Sequence, residues 1–206
     1  MSTYKLTYFN FPALGEPIRF LLSYAGVEFE DNRIEWSNWH QIKGTTPLGQ
    51  VPILEVDGQV LYQTIPICRF LGSKFNLLGD NEMENYQIDN VVQTITDLRM
   101  KIEMVNFDKF SPPNVIEEKR AQLKSESIPF FLKNLEEIAS KNDEFLAIKK
   151  LSWGDLYFAA MIDYMNWMMK GNLLEDFENL KKVYEYVMEI DGIKSYVEKR
   201  PKPQMG

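Results

Sequence analysis

Two hydrophobic periods share the first 76 residues. Residues 5–9 (KLTYF) are β-branched and aromatic, the composition of a short strand. After a turn at Pro12, residues 16–26 carry Ile18, Phe20, Leu21, Leu22 and Tyr24 at helical spacing. Pro17 falls in the first turn of that helix and Gly26 can end it. Residues 29–34 predict a second strand, and 36–43 a short, aromatic, helical stretch. Over 50–62, two apolar runs flank Asp57-Gly58, a strong hairpin signal because both turn positions need positive φ. Residues 64–75 predict a helix with Ile67, Phe70 and Leu71 on one face. The order is β-α-β-α-β-β-α: strands joined by helices imply a parallel pair, and the last two strands an antiparallel hairpin.

From residue 82 the strand period disappears. Ile88, Val91, Val92, Ile95, Leu98, Ile102 and Val105 recur every three or four residues, as in a long amphipathic helix. A second helix is expected over 116–140, bent or interrupted at Pro129. Trp153, Leu156, Tyr157, Ala160, Met161, Tyr164 and Met168 mark a third. Leu180, Val183, Tyr184 and Val187 mark a fourth, and 193–199 a short last one. The expected organisation is an α/β domain over 1–76, a linker over 77–81 and an all-α domain over 82–206.

Composition narrows the chemistry. With 206 residues, 45% hydrophobic and 26% charged, the chain reads as globular and large enough for two small domains. Its net charge of -7 argues against nucleic acid, and the cationic pairs Lys149-Lys150, Lys181-Lys182 and Lys199-Arg200 are scattered. One cysteine, Cys68, excludes an internal disulfide and a Cys-x-x-Cys pair, and it lies on the expected buried face of its helix. No apolar run approaches the ~18 residues that span a bilayer. A cytoplasmic, reducing compartment with no membrane partner is the expectation. The single histidine, His40, with no acidic cluster beside it, argues against a zinc site.

Four motifs in order carry a family resemblance: residues 4–9 (YKLTYF), 15–19 (GEPIR), 47–58 (PLGQVPILEVDG) with Gln63-Thr64 after it, and 151–158 (LSWGDLYF). Together they resemble cytosolic glutathione S-transferases over nearly the whole chain. Trp39, Lys43 and Asp97 are most similar to the sigma class, which includes haematopoietic prostaglandin D synthases. The resemblance implies a thioredoxin-like first domain, a helical second domain, a homodimer, and glutathione as co-substrate with no metal. Vertebrate prostaglandin D synthases carry further aspartates near Asp97, where this chain has Gln93 and Thr96, and usually Arg at the place of Leu14.

The resemblance makes Tyr8 the catalytic residue. A free thiol has a pKa of ~8.5, so only ~3% is thiolate at neutral pH. One hydrogen bond to a charged group contributes ~1.5–3 kcal/mol, or about one to two pKa units. A phenol donating to sulfur is therefore sufficient, with Tyr8 as donor rather than proton acceptor. Thr64, as N-cap of the third helix, would join its hydroxyl to free backbone N–H groups as a carboxylate site, with Gln63 beside it. Pro66 removes one of those donors. A cis Val51-Pro52 bond would turn the Val51 backbone toward the cysteinyl part of glutathione. Trp39 and Lys43 would hold the glycyl end, with Gln50 adding an amide, and Asp97 would reach the glutathione of the other subunit. Leu14, Arg99, Met104, Tyr157 and Met161 are the candidates for a hydrophobic second-substrate pocket. Ser152 and Asp155 have capping-box spacing, with Leu151 and Leu156 as its staple, and read as structural.

The function implied is transfer of the glutathione thiolate to hydrophobic electrophiles or lipid peroxidation products, by conjugation or reduction, as in detoxification. A prostaglandin D synthase-type isomerase uses the same thiolate. A non-catalytic, crystallin-like role is the reading from another class; retention of Tyr8, Trp39, Lys43, Gln50, Gln63 and Asp97 speaks against it. A thioredoxin-like disulfide oxidoreductase fails for want of a cysteine near the first turn.

Overall fold

The computed structural model describes residues 2–201. Along the chain run β1 (Tyr4–Phe9), α1 (Glu16–Tyr24), β2 (Glu30–Ile34), α2 (Trp39–Ile42), β3 (Ile53–Val56), β4 (Gln59–Tyr62) and α3 (Thr64–Lys74). They are followed by α4 (Glu82–Asn106), α5 (Pro113–Gln122), α6 (Ile128–Ala139), α7 (Trp153–Met169), α8 (Glu178–Met188) and α9 (Asp191–Lys199). The chain divides into two compact units, one of Met1–Leu77 with Met188–Gly206, the other Leu78–Val187.

The first unit is built on a four-stranded sheet of order β2-β1-β3-β4. β1 pairs with β2 in parallel, Tyr8 opposite Arg33, and with β3 antiparallel, Thr7 opposite Ile53. The expected β-α-β-α-β-β-α order is thus the observed one. At the hairpin turn, Asp57 and Gly58 take φ of 50° and 82°, the doubly positive pair that matches strand twist. β1 is central, so both of its faces are covered: Leu6 and Tyr8 on one face and Thr7 and Phe9 on the other are all buried. Ile18, Phe20, Leu21 and Leu22 of α1 and Ile67 and Leu71 of α3 complete the core. On α3 the buried face runs through Cys68 rather than Phe70, which is 41% exposed; the expected Ile67-Phe70-Leu71 face is corrected by one residue. Burial pushes the Cys68 thiol far above its ordinary range.

The last helix groups by contact with the first unit. α9 lies on α1, where Tyr196 meets Phe20 edge-on with centroids 6.0 Å apart. The approach is close enough that a side chain at Gly192 would collide with the Ser23 carbonyl.

The second unit is helical. α4 is capped by Asn81, whose side chain accepts from the Glu84 N–H at 3.0 Å, and all seven predicted stripe residues are buried. α7 is apolar on nearly every side and forms the centre of this unit. Its start is a closed box in which the Ser152 N–H and hydroxyl donate to Asp155 Oδ2 at 2.8 and 2.7 Å. The Leu146 N–H donates to Oδ1 at 2.7 Å. The expected break at Pro129 takes a different form. Pro129 sits in the first turn of α6, and the preceding residues Leu123–Ser127 widen into a π segment, so the helix continues around the missing N–H.

Candidate active site

Tyr8 is the next-to-last residue of β1 and is buried, as is Phe9 after it; three features of the following segment hold its ring. The Leu14 backbone N–H donates to the Tyr8 hydroxyl oxygen at 3.2 Å. Accepting that bond strengthens the hydroxyl as a donor, because linked hydrogen bonds polarise one another. Gly15 leaves the room the ring occupies: a Cβ there would lie 2.6 Å from Tyr8 Cγ. The Arg19 guanidinium lies 5.8 Å from the ring centroid.

Arg19 is fully buried, and all three of its guanidinium nitrogens donate hydrogen bonds. It donates to Asp31 at 3.1 Å, to Glu16 at 3.1 Å and to the carbonyls of Phe11 and Phe9 at 3.0 and 3.2 Å. These bonds fix both ends of the segment that leads from β1 towards Leu14. Glu16 is also buried, and it accepts further bonds from Tyr196 at 3.0 Å and Arg200 at 2.6 Å. Although burial alone would lower it, the facing Glu16 and Asp31 hold the Arg19 pKa above its ordinary value. Burial, with Glu16 beside it, raises that of Tyr196 well above its ordinary range.

Leu14 also reaches the start of α3. Its carbonyl accepts from the Thr64 hydroxyl at 3.2 Å. Thr64 was expected as N-cap, but Gln63 holds that position and Thr64 is the first helical residue. Its only proton is turned to Leu14, so the donors this helix start offers outward are the Thr64 and Ile65 N–H groups. Pro66 has none, and the Ile67 N–H is used by the Gln63 carbonyl at 3.0 Å. Gln63 has φ 72° and ψ 118°, a strained region for a residue with a Cβ. The turn thereby places Gln63 and the first N–H groups of α3 on one cavity.

That cavity, about 450 Å³, brings together Leu14, Trp39, Lys43, Gln50, Val51, Gln63 and Thr64 of the predicted residues. The Val51-Pro52 bond is cis. The β1/β3 ladder begins at Ile53, so the sheet does not use the Val51 N–H and C=O. The lining is divided: Lys43, Gln50, Gln63 and Thr64 offer a cation, amides and N–H donors, while Phe9, Leu14, Trp36 and Leu48 are apolar. Phe9 is the hub of an aromatic group. Its ring stacks on Trp36 at 3.9 Å and 13°, and meets Trp39 at 5.3 Å and Tyr8 at 5.6 Å edge-on. Phe9, Trp36, Leu48 and Tyr62 line the cavity as well. In the sequence, Phe9 and Leu48 fall within the family motifs, and Trp36 within the aromatic stretch 36–43.

The other predicted residues lie in the second unit. Asp97 is exposed on α4 and accepts from Gln93 at 2.9 Å. Arg99 is buried and paired with Glu103, which also accepts from the Tyr164 hydroxyl at 3.1 Å. Met104 is 74% exposed. Tyr157 and Met161 are buried. Burial on nearly every side of α7 makes both core residues, and the Tyr157 hydroxyl lies 2.9 Å from that of Thr96.

Fold and site together define a thioredoxin-like sheet domain with a peptide-sized polar cavity beside a buried tyrosine, joined in one chain to a helical domain. Residues 4–73 match the family of glutathione S-transferase N-terminal domains, and 96–200 that of glutathione S-transferase C-terminal domains. A glutathione S-transferase of Anopheles gambiae is 44% identical over 202 residues, covering 98% of each chain. Glutathione S-transferase S1 of Drosophila melanogaster is 44% identical over 200 residues, 97% of this chain and 79% of that one. Among solved structures, prostaglandin synthase D of Nilaparvata lugens superposes with a TM-score of 0.92 at 42% identity, covering 98% of this chain and all of that one. The chain belongs to the glutathione S-transferase family of enzymes.

Proposed function

We propose that this enzyme binds glutathione in the cavity of the first unit and holds its sulfur as a thiolate with the Tyr8 hydroxyl. The thiolate then attacks a hydrophobic electrophile. The observation that carries the reading is the Leu14 N–H bond to the Tyr8 hydroxyl oxygen, which holds that hydroxyl against a residue of the cavity wall. The thiol proton leaves for solvent, and the new S–C bond forms as a leaving group departs with its electron pair or, on an activated alkene, as the C=C π bond breaks and the adjacent carbon takes a proton from solvent. Tyr8 donates throughout and is not consumed. Lys43 suits the glycyl carboxylate, the N–H groups at Thr64 and Ile65 suit the γ-glutamyl carboxylate, and the Val51 backbone suits the cysteinyl amide. Holding both substrates together supplies the remaining acceleration.

The test follows thiolate absorbance of bound glutathione against pH for the native enzyme and Tyr8→Phe. The expected bound thiol pKa is ~6.5, about two units below the free value, and most of that shift is lost in Tyr8→Phe. Binding with an unshifted pKa would sink the reading and favour a non-catalytic role.

A second reading, isomerisation of a prostaglandin endoperoxide by the same thiolate, is favoured by the similarity to the Nilaparvata lugens protein. Product analysis with that substrate separates the two. We further propose a homodimer. Met83, Tyr86, Met100 and Met104 are exposed along one face of α4, and Asp97 lies in the same row. Sedimentation reads the mass directly. A reducing cytoplasmic setting suits the single buried Cys68, and lipid peroxidation products suit the apolar part of the cavity wall.

A further inference from the structure

Trp36 is the least explained residue of the cavity. It is 66% exposed, whereas Phe9 behind it is 8% exposed. The two rings are nearly parallel, so one indole face is covered by Phe9 and the other is turned outward. The peptide-binding chemistry already assigned uses Trp39, Lys43, Gln50, Val51, Gln63 and Thr64, and it gives no part to Trp36. Phe9 follows Tyr8 directly in β1 and touches its ring edge-on, so the stack starts beside the group that holds the sulfur. Trp36 and Leu14, the latter bonded to the Tyr8 hydroxyl, line the same cavity.

We propose that the outward face of Trp36, backed by Phe9, is a stacking platform for a planar aromatic second substrate. It makes the enzyme prefer aromatic over straight-chain electrophiles. The proposal deepens the thiolate reading and rests on it for the reaction, though not for binding. An indole face favours an offset or edge-on aromatic partner over an alkyl chain of similar area. The Phe9 ring holds the indole in place before substrate arrives, so little ordering is needed on binding.

The test compares the native enzyme with Trp36→Leu, which keeps apolar bulk without the π face, and Trp36→Phe, which restores a smaller one. Substrates are 1-chloro-2,4-dinitrobenzene and a straight-chain 2-alkenal. The expected result for Trp36→Leu is a three- to tenfold fall in the aromatic-to-aliphatic ratio of kcat/KM, about what one aromatic pair contributes. Trp36→Phe should recover most of it, with the bound thiolate pKa the same in all three proteins. An unchanged ratio overturns the proposal. So does weaker binding of glutathione itself in Trp36→Leu, which would assign Trp36 to the peptide. If the native enzyme forms no thiolate, the functional reading fails on its own. The platform is then judged by calorimetry with S-(2,4-dinitrophenyl)glutathione against S-hexylglutathione. A three- to tenfold loss confined to the aromatic conjugate sustains it, and equal losses or none overturn it.

Discussion

The Leu14 peptide joins Tyr8 to Thr64: its N–H donates to the Tyr8 hydroxyl and its carbonyl accepts from the Thr64 hydroxyl, each at 3.2 Å. The tyrosine and the start of α3 are therefore set by one backbone unit, not by two independent side chains. Thr64→Val keeps the shape and deletes the donor. Stability should fall by about 1 kcal/mol, the net worth of such a bond. The bound thiol pKa should rise by a few tenths of a unit as Leu14 loosens, and Thr64→Ser should restore both. A pKa unmoved by Thr64→Val would mean that Leu14 is held without this bond.

Gly15→Ala tests the space for the Tyr8 ring. The added methyl meets the ring at its root, where no rotamer change relieves the contact. Overpacking of this kind costs ~1–3 kcal/mol. Denaturant unfolding should show that loss, and thiolate formation should fall with it because the hydroxyl is displaced. Normal stability and pKa together would show that the strand end shifts freely.

The buried pair of Glu16 and Arg19 invites a double-mutant cycle. Arg19→Met leaves Glu16 buried with Tyr196 and Arg200, and the cost should be near ~3 kcal/mol, the lower end for one partner of a buried pair. Glu16→Gln should cost less in the Arg19→Met background than in the native enzyme, since one of the Glu16 ion pairs is already gone there. Strict additivity of the two losses would exclude direct coupling.

Asp155 makes stability depend on pH. Burial pushes its carboxyl up to about 6, against the bonds from Ser152 and Leu146 that favour the charged form. In the unfolded chain the ordinary value is ~3.9, so the native state binds the proton more tightly. The resulting stabilisation is fully present below pH ~4 and is lost as pH rises through about 6. Urea unfolding of the native enzyme, minus that of Asp155→Asn, should therefore decline by up to ~3 kcal/mol between pH 4 and 7. A flat difference would show the carboxylate ionised throughout.

Much of this protein was written locally. The Asp57-Gly58 hairpin, the α4 stripe from Ile88 to Val105 and the Ser152-Asp155 box each lie within a few turns of chain. Their signals are turn chemistry and helical period, which need no distant partner. The order of elements followed from them, and the cavity residues Trp39, Lys43, Gln50, Gln63 and Thr64 followed from motif resemblance. Period failed where exposure depended on what packs alongside: Phe70, read onto the buried face of α3 with Ile67 and Leu71, is 41% exposed.

The sequence by itself determined which segments are strands and helices, where the hairpin turns, and which family's residues are present. Tertiary structure alone decided that Leu14 acts through its backbone, that Thr64 spends its proton on Leu14, that α9 joins the first unit, and that Trp36 stacks on Phe9. These relations link residues up to 184 positions apart, as Glu16 and Arg200 are. A backbone N–H is the same at every residue except proline, so no side-chain pattern announces which one will meet a distant hydroxyl.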